Sequence, residues 1–317
     1  MINRRTLVMI MAVIMGMTVC LAQQIVVVSE DGETSICKSL EKAIETATNG
    51  SVIYLPGGSY RISDDAVITK KLCIIGLGHK AISGNTDGYT TIAANLWFNE
   101  NSSGCSVIGC YISGDVIIGN DGNSVNDVVI KCCNINRILV KNDNCTGTVV
   151  CQSYIRNRSD LKKGTLFTNN IAHSVRSECG KIVNNVLVNG SEIYTCYVAR
   201  NIFLNGQGVE SYHHNTFSDN MAKDDVGDAP VNIGEKAWSD LFVKYNNGSI
   251  SPASDFHFKD EYKTLYKDYG IYGGTGFNAS GQPPLPFFEA KSIPEQTDAE
   301  GNLNIRIRVN NGEKKAE

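Results

Sequence analysis

Three groups of residues carry side chains and spacings that could do chemistry. Asp219, Asp224, Asp225 and Asp228 crowd into SDNMAKDDVGD, the one dense acidic stretch. Clustered carboxylates suit a hard cation such as Ca²⁺. DDVGD lacks the alternating ligands and closing Glu of an EF-hand loop, so it also reads as a solvated loop. Arg156 and Arg158 follow the apolar Ile155 and Arg137 follows Ile135, with Lys141, Lys162 and Lys163 nearby in sequence. They could supply a base or a basic strip for an acidic polymer, or be ordinary outward charge in long turns. His213 and His214 are adjacent. Neighbours on a strand point to opposite faces, so the pair does not easily share a metal. One of them is expected at a bend beside Asn215 and the other toward water. GxSxG, GxGxxG and GK[ST] are absent.

These groups need a scaffold, and composition bounds it. The chain has 317 residues, 42% hydrophobic, with 30 glycines and 7 prolines. A sizeable core and many tight turns follow. Arg4 and Arg5 precede an apolar run from Leu7 to Leu21, and Cys20-Leu21-Ala22 offers small residues for cleavage after Ala22. Residues 1–22 are expected to be an export signal, which places the product in the periplasm, on the cell surface or outside the cell. No later segment is apolar enough to span a membrane. Without residues 1–22 the chain holds 27 basic and 33 acidic residues, a net of −6. That balance excludes a nucleic-acid binder. Ten cysteines follow Cys20, irregularly spaced and without a CxxC pair. They are read mainly as small buried apolar residues, with disulfides as the alternative.

Leu40, Ala43, Ile44 and Ala47 share one face of a helix expected over 37–48, ended by Asn49-Gly50. Beyond it come short Val- and Ile-rich strings broken by Gly, Asn, Asp and Ser, which read as strands. They register on one another. Cys110, Cys133, Ser153, Asn170, Asn185, Asn201 and Asn215 each precede by two places an apolar residue, Ile112, Ile135, Ile155, Ala172, Leu187, Phe203 or Phe217. The intervals are 23, 20, 17, 15, 16 and 14 residues. An all-strand chain that returns to phase this often predicts a β-solenoid, with the small and Asn residues forming a structural column whose amides bond the backbone. The short intervals are tight for three strands with bends, and a β-sandwich is the competing architecture.

The helix followed by GSVIYLPGGSY, with Ala43, Ile44, Ala47, Gly50, Pro56-Gly57 and Tyr60, resembles the opening of the right-handed parallel β-helix proteins of the pectin-lyase-like superfamily. Asn184-Asn185-Val186-Leu187 and Arg200-Asn201-Ile202-Phe203 resemble their later coils. DFHFK at 255–259 and GIYGG at 270–274 resemble the closing coils of secreted bacterial members. The resemblance covers about 37–277 and implies a right-handed, all-β solenoid over 23–277, its helix capping the first coil. After Phe277 the composition changes, with Pro283, Pro284, Pro286 and Pro294, and a Pro-rich linker and C-terminal strand or tail are expected over 278–317. Leu303, Ile305, Ile307 and Val309 alternate with polar residues there, and such a strand must lie along the β-helix or pair with another copy.

On function the resemblance leaves two classes. One is a non-catalytic exported β-helix presenting a surface for glycan or protein. The other is a polysaccharide lyase or glycoside hydrolase acting on an acidic polysaccharide. A lyase needs a base and a cation, so Arg156, Arg158 and the Asp219–Asp228 loop would share one groove. A hydrolase needs two carboxyls at a set separation. No paired-aspartate motif beside a Gly-His segment occurs. No cofactor is expected beyond Ca²⁺.

Overall fold

A computed structural model describes residues 24–80, 88–205, 214–222, 231–233, 236–245, 254–279, 281–283, 287–292 and 306–310. The expected signal segment, His213, Asp224, Asp225 and Asp228 lie outside these residues.

The chain winds into a parallel β-helix with three faces. Its sheets hold eleven, ten and seven strands among the described residues. Sheet 1 contains Val129–Lys131, Val149–Cys151, Leu166–Thr168, Lys181–Val183 and Tyr197–Ala199. Sheet 2 contains Asn134–Ile135, Tyr154–Ile155, Ile171–Ala172, Val186–Leu187 and Ile202–Phe203. Sheet 3 contains Ile138–Val140, Ser159–Leu161, Val175–Glu178 and Glu192–Tyr194. The coil strands pair in parallel with their equivalents one coil away, as in Lys181↔Tyr197, Ile182↔Val198 and Val183↔Ala199, while Ile25–Val28 and Thr34–Cys37 extend sheet 1 at its start in antiparallel pairing. The β-sandwich is excluded.

Three strands do fit the shortest coil. Between Asn170 and Asn185 the chain forms Ile171–Ala172, Val175–Glu178 and Lys181–Val183. It turns so sharply because two residues per coil adopt a left-handed backbone. Between sheets 3 and 1 these are Gly104, Asp127, Gly147, Gly164, Cys179, Thr195 and His214. Between sheets 1 and 2 they are Gly109, Cys132, Gln152, Asn169, Asn184, Arg200 and Asp219. The two bends stay five residues apart in every one of these coils, so sheet 1 is constant and length variation falls elsewhere. Left-handed conformation suits Gly and Asn and strains a β-branched residue such as Thr195.

The residue after each bend points inward. After the sheet 1–2 bend come Cys110, Cys133, Ser153, Asn170, Asn185, Asn201 and Asn220, all buried. Here one expectation is corrected: Asn215 is not in this column. It follows His214, the other bend, and accepts a hydrogen bond from the Cys196 backbone N–H at 2.8 Å. Asn220 and Ala222 take the places expected for Asn215 and Phe217, and the last interval is 19 residues. The slip arises because both bends present the same local pattern, a left-handed residue, a small residue and then apolar strand.

Within the column each side chain serves the coil before it. Asn185 Oδ1 accepts from the Asn170 N–H at 2.9 Å, and Asn201 Oδ1 from the Asn185 N–H at 2.9 Å. Asn220 Oδ1 accepts from the Asn201 N–H at 3.0 Å. The amide groups donate to carbonyls of the preceding coil, Asn185 to Phe167 O at 2.9 Å and Asn201 to Ile182 O at 2.7 Å. Buried backbone groups at the turn are thereby satisfied without water. Inward Ile74, Val107, Ile130, Val150, Phe167, Ile182 and Val198 fill the core from sheet 1. Burial of each stabilises by about 1.5–3 kcal/mol.

The capping helix is shorter than 37–48, running Leu40–Thr46. Cys37 ends a strand paired with Ile25, Ser39 caps the helix N-terminus, and Ala47 turns extended. Lys70 Nζ donates to Ile44 O, Glu45 O and Ala47 O at 2.8, 3.1 and 2.7 Å, closing the other end. All ten cysteines after Cys20 are free thiols, seven of them buried. Burial pushes the Cys133 thiol up to about 12, the condition of an inert packing residue.

Two C-terminal expectations are also corrected. Asp255–Phe258 forms no coil; it pairs antiparallel with Phe242–Lys244. The strand Arg306–Asn310 pairs antiparallel with Phe287–Ser292, within the stretch expected as a linker.

Asn201→Leu removes the acceptor for a buried N–H and two donated bonds. Each orphaned buried group costs about 1–3 kcal/mol, so the expected loss is on the order of 3 kcal/mol, measured by urea unfolding. Unchanged stability would contradict the column's role.

Candidate functional site

The site begins with the outward residue of each two-residue strand in sheet 2. In Tyr111-Ile112, Asn134-Ile135 and Tyr154-Ile155 the outward residue is aromatic or an amide. In Ile171-Ala172, Val186-Leu187, Ile202-Phe203 and Met221-Ala222 it is aliphatic or small. Two successive apolar residues on a strand signal a sheet covered on both faces. Ile171, Val186, Ile202 and Met221 are buried, although they point away from the coil interior.

The C-terminal segment covers them. Trp238, Leu241, Phe242, Tyr245, Phe256 and Ile271 join them in a second hydrophobic cluster, flanked by Tyr262, Tyr266, Tyr269, Tyr272 and Phe277. The Trp238 indole N–H donates to Leu204 O at 2.6 Å and its ring stacks on Phe242 with centroids 5.7 Å apart. From Asp268 to Ala279, and again at Gly281–Pro283, the chain forms a strap that runs back along the sheet 1–2 bends. The strap's Gly270 N–H donates to Arg200 O at 2.8 Å. Asn184 Nδ2 donates to Asp268 O at 2.6 Å. Asn169 Nδ2 donates to Ile271 O at 2.9 Å and Gly273 O at 2.6 Å, and Gln152 Nε2 to Gly276 O at 3.0 Å. A built Cβ on Gly109 would press on Pro283 at 2.8 Å. In each Asn-Asn pair the first side chain therefore holds the strap and the second holds the coil.

A cleft of about 230 Å³ opens where the aliphatic face gives way to the aromatic one. Tyr89, Tyr111, Tyr154, Tyr272 and Phe277 line it, with His79, Lys80, Asn134, Ile171, Ser254 and Ala279. His257 stacks on Tyr272 with centroids 3.6 Å apart. Burial raises the Tyr154 hydroxyl to about 12 and lowers the His79 imidazole to about 4. At neutral pH these groups are uncharged, and no carboxylate lines the cleft among the described residues.

The candidates from the sequence do not converge here. Arg156 lies beside the cleft, 4.7 Å from the Tyr111 ring centroid, with Nη1 on Asn134 Oδ1 at 2.5 Å and Nη2 on Ile112 O at 3.0 Å. Arg158 lies by sheet 3, bridged to Glu192 at 2.8 Å. Arg137 bridges Asp115 at 2.7 Å and Lys162 bridges Asp143 at 2.7 Å. Lys141 and Lys163 are exposed. Asp219 occupies a sheet 1–2 bend and accepts from Ser218 Oγ at 2.7 Å. It sits four coils from Arg156, about 19 Å along the axis at 4.8 Å per coil. His214 is a bend residue beside Asn215, as expected. Among the described residues no three His, Cys, Asp or Glu side chains gather as a metal site.

The sequence reading missed the cleft and the strap. Nine Phe and Tyr residues between Phe242 and Phe277 were the available signal, together with the doubled apolar pairs of sheet 2.

No protein-family model matches the chain. No curated protein and no solved structure matches it significantly. No helix among the described residues is long and apolar enough to cross a membrane.

Asn169→Gly keeps the left-handed bend and deletes the bonds to the strap, together with the one that Thr168 Oγ1 donates to Asn169 Oδ1. Hydrogen exchange over 270–276 is expected to accelerate tenfold or more, while sheet 1 amides keep their protection. Equal loss in both regions would assign Asn169 to the coil instead.

Proposed function

We propose that this is an exported β-helix protein of the pectin-lyase-like type that binds a glycan in the aromatic cleft without cleaving it. The observation that carries this reading is the lining: five aromatic rings with Asn134 and Ser254 and no carboxylate among the described residues. Sugar rings present an apolar C–H face that rests on aromatic rings, and hydroxyls that amides and phenols bond. The volume is on the scale of a single sugar unit, so a terminal or protruding residue of a glycan suits it better than a buried polymer.

Cleavage of an acidic polysaccharide asks for more. Elimination needs a free base beside a cation, and hydrolysis needs two carboxyls across the bond. Arg137, Arg156, Arg158 and Lys162 already hold partners, and Asp219 is spent on a bend. These commitments support binding over turnover.

The test is an array of neutral and acidic glycans, run beside pectin and alginate incubations followed by unsaturated-product absorbance with and without Ca²⁺. Binding without product is expected. Tyr111→Ala and Tyr89→Ala should each weaken binding about tenfold, the scale of one aromatic contact, with the melting temperature nearly unchanged. Product formation, or binding indifferent to both substitutions, would overturn the reading.

A further inference from the structure

His79 stands at one end of the cleft, buried, and its Nε2 is the one buried side-chain polar atom without a hydrogen-bond partner among the described residues. A buried polar group left this way is costly and calls for an explanation. The end of the strap seals it. Asn278, Gly281 and Gln282 bond to one another, the Gly281 N–H donating to Asn278 O at 3.0 Å and Asn278 Nδ2 to Gln282 O at 2.9 Å. Gly281 lies flat on the imidazole: a Cβ there would overlap His79 Cδ2 and stand 2.5 Å from Nε2, with Cys132 O 2.8 Å away. No other residue fits while the turn is seated.

We propose that His79 and the turn that Gly281 closes on Asn278 form a proton-operated latch over the cleft. With the imidazole neutral, Nε2 needs no donor role and the turn closes. A protonated imidazole carries an N–H and a charge for which the closed site has no partner, so the turn must lift to admit water, and the cleft opens. The latch stands whatever the cleft binds.

The other titratable groups do not compete for this role. The turn itself, from Asn278 to Pro283, has none. Lys80, Tyr89, Tyr111, Tyr154 and Tyr272 surround the cleft, and Cys132 lies behind Gly281. Burial holds Tyr154 and Cys132 at about 12, and Tyr272 further up. The charge on Lys80 further disfavours an imidazolium at His79. His257, stacked on Tyr272 and bonded to Asp255 at 2.6 Å, is another imidazole beside the cleft and serves as the control.

The direction of the pH effect follows from burial. His79 is lowered from 6.5 to about 4 when covered, so the open state binds the proton more tightly. Closure is fully favoured above pH 6.5 and weakens as pH falls from there through 4. At pH 5 opening should rise about 30-fold.

Hydrogen-exchange protection factors across 276–283 in the full chain, at pH 7.5 and 5.0, test this. Protection there is expected to fall about 30-fold more than in sheet 1. His79→Phe should abolish the pH response and His257→Gln should keep it. A flat response in the unsubstituted chain, or its loss in His257→Gln, would overturn the latch. An NMR titration guards against a misfolded variant: the His79 Cε1–H should titrate near 4 in the unsubstituted chain and near 6.5 in Gly281→Ala. A midpoint near 6.5 in the unsubstituted chain refutes the proposal.

Discussion

The left-handed bend between sheets 1 and 2 is the constraint on which the rest of this structure depends. A coil of 15 or 16 residues closes only if the chain turns sharply, and a sharp turn strands backbone groups inside. The inward residue after the bend resolves that. Where it is asparagine, one amide accepts from its neighbour's backbone and donates to another coil's carbonyl, so the bends lock in register. Cys110 and Cys133 keep the small size at the same place in the longer coils, with their thiols directed to Ile108 O and Lys131 O.

The same bend also builds the outside of the molecule. Its left-handed residue projects outward, and at Gln152, Asn169 and Asn184 that side chain grips the strap. The strap could not lie along this edge if the bends wandered. Because they stack, one segment meets an amide at successive coils, while Trp238, Phe242, Phe256 and Ile271 cover the aliphatic part of sheet 2 and a cleft is left over its aromatic part. Coil closure and site construction are thus two outcomes of one repeated dipeptide.

Much of this was legible in the sequence. The contracting repeat announced the solenoid, and the Asn-rich heptads marked the column. Asn215 was misplaced because the two bends of a coil present the same short pattern, and pattern alone cannot say which bend is meant. The hydrogen bond from Cys196 to Asn215 separates them, and that is a fact about stacking. The strap was unreadable for a different reason. Phe256, Tyr272 and their neighbours showed no period, and their partner surface is made of the outward members of strands two residues long. Asp219 and His214 looked like chemistry because charged residues invite that reading; at a bend they supply backbone conformation.

Asn201 has two asparagines within reach of the next coil by sequence, and its hydrogen bonds run to Asn220, not Asn215. A double-mutant cycle on unfolding free energy decides between them. Asn201→Ala with Asn220→Ala should be non-additive by about 1 kcal/mol, as for residues sharing a hydrogen-bond network. Asn201→Ala with Asn215→Ala should add to within about 0.5 kcal/mol. Coupling to Asn215 with additivity at Asn220 would contradict the register from which the bends, the strap and the cleft all follow.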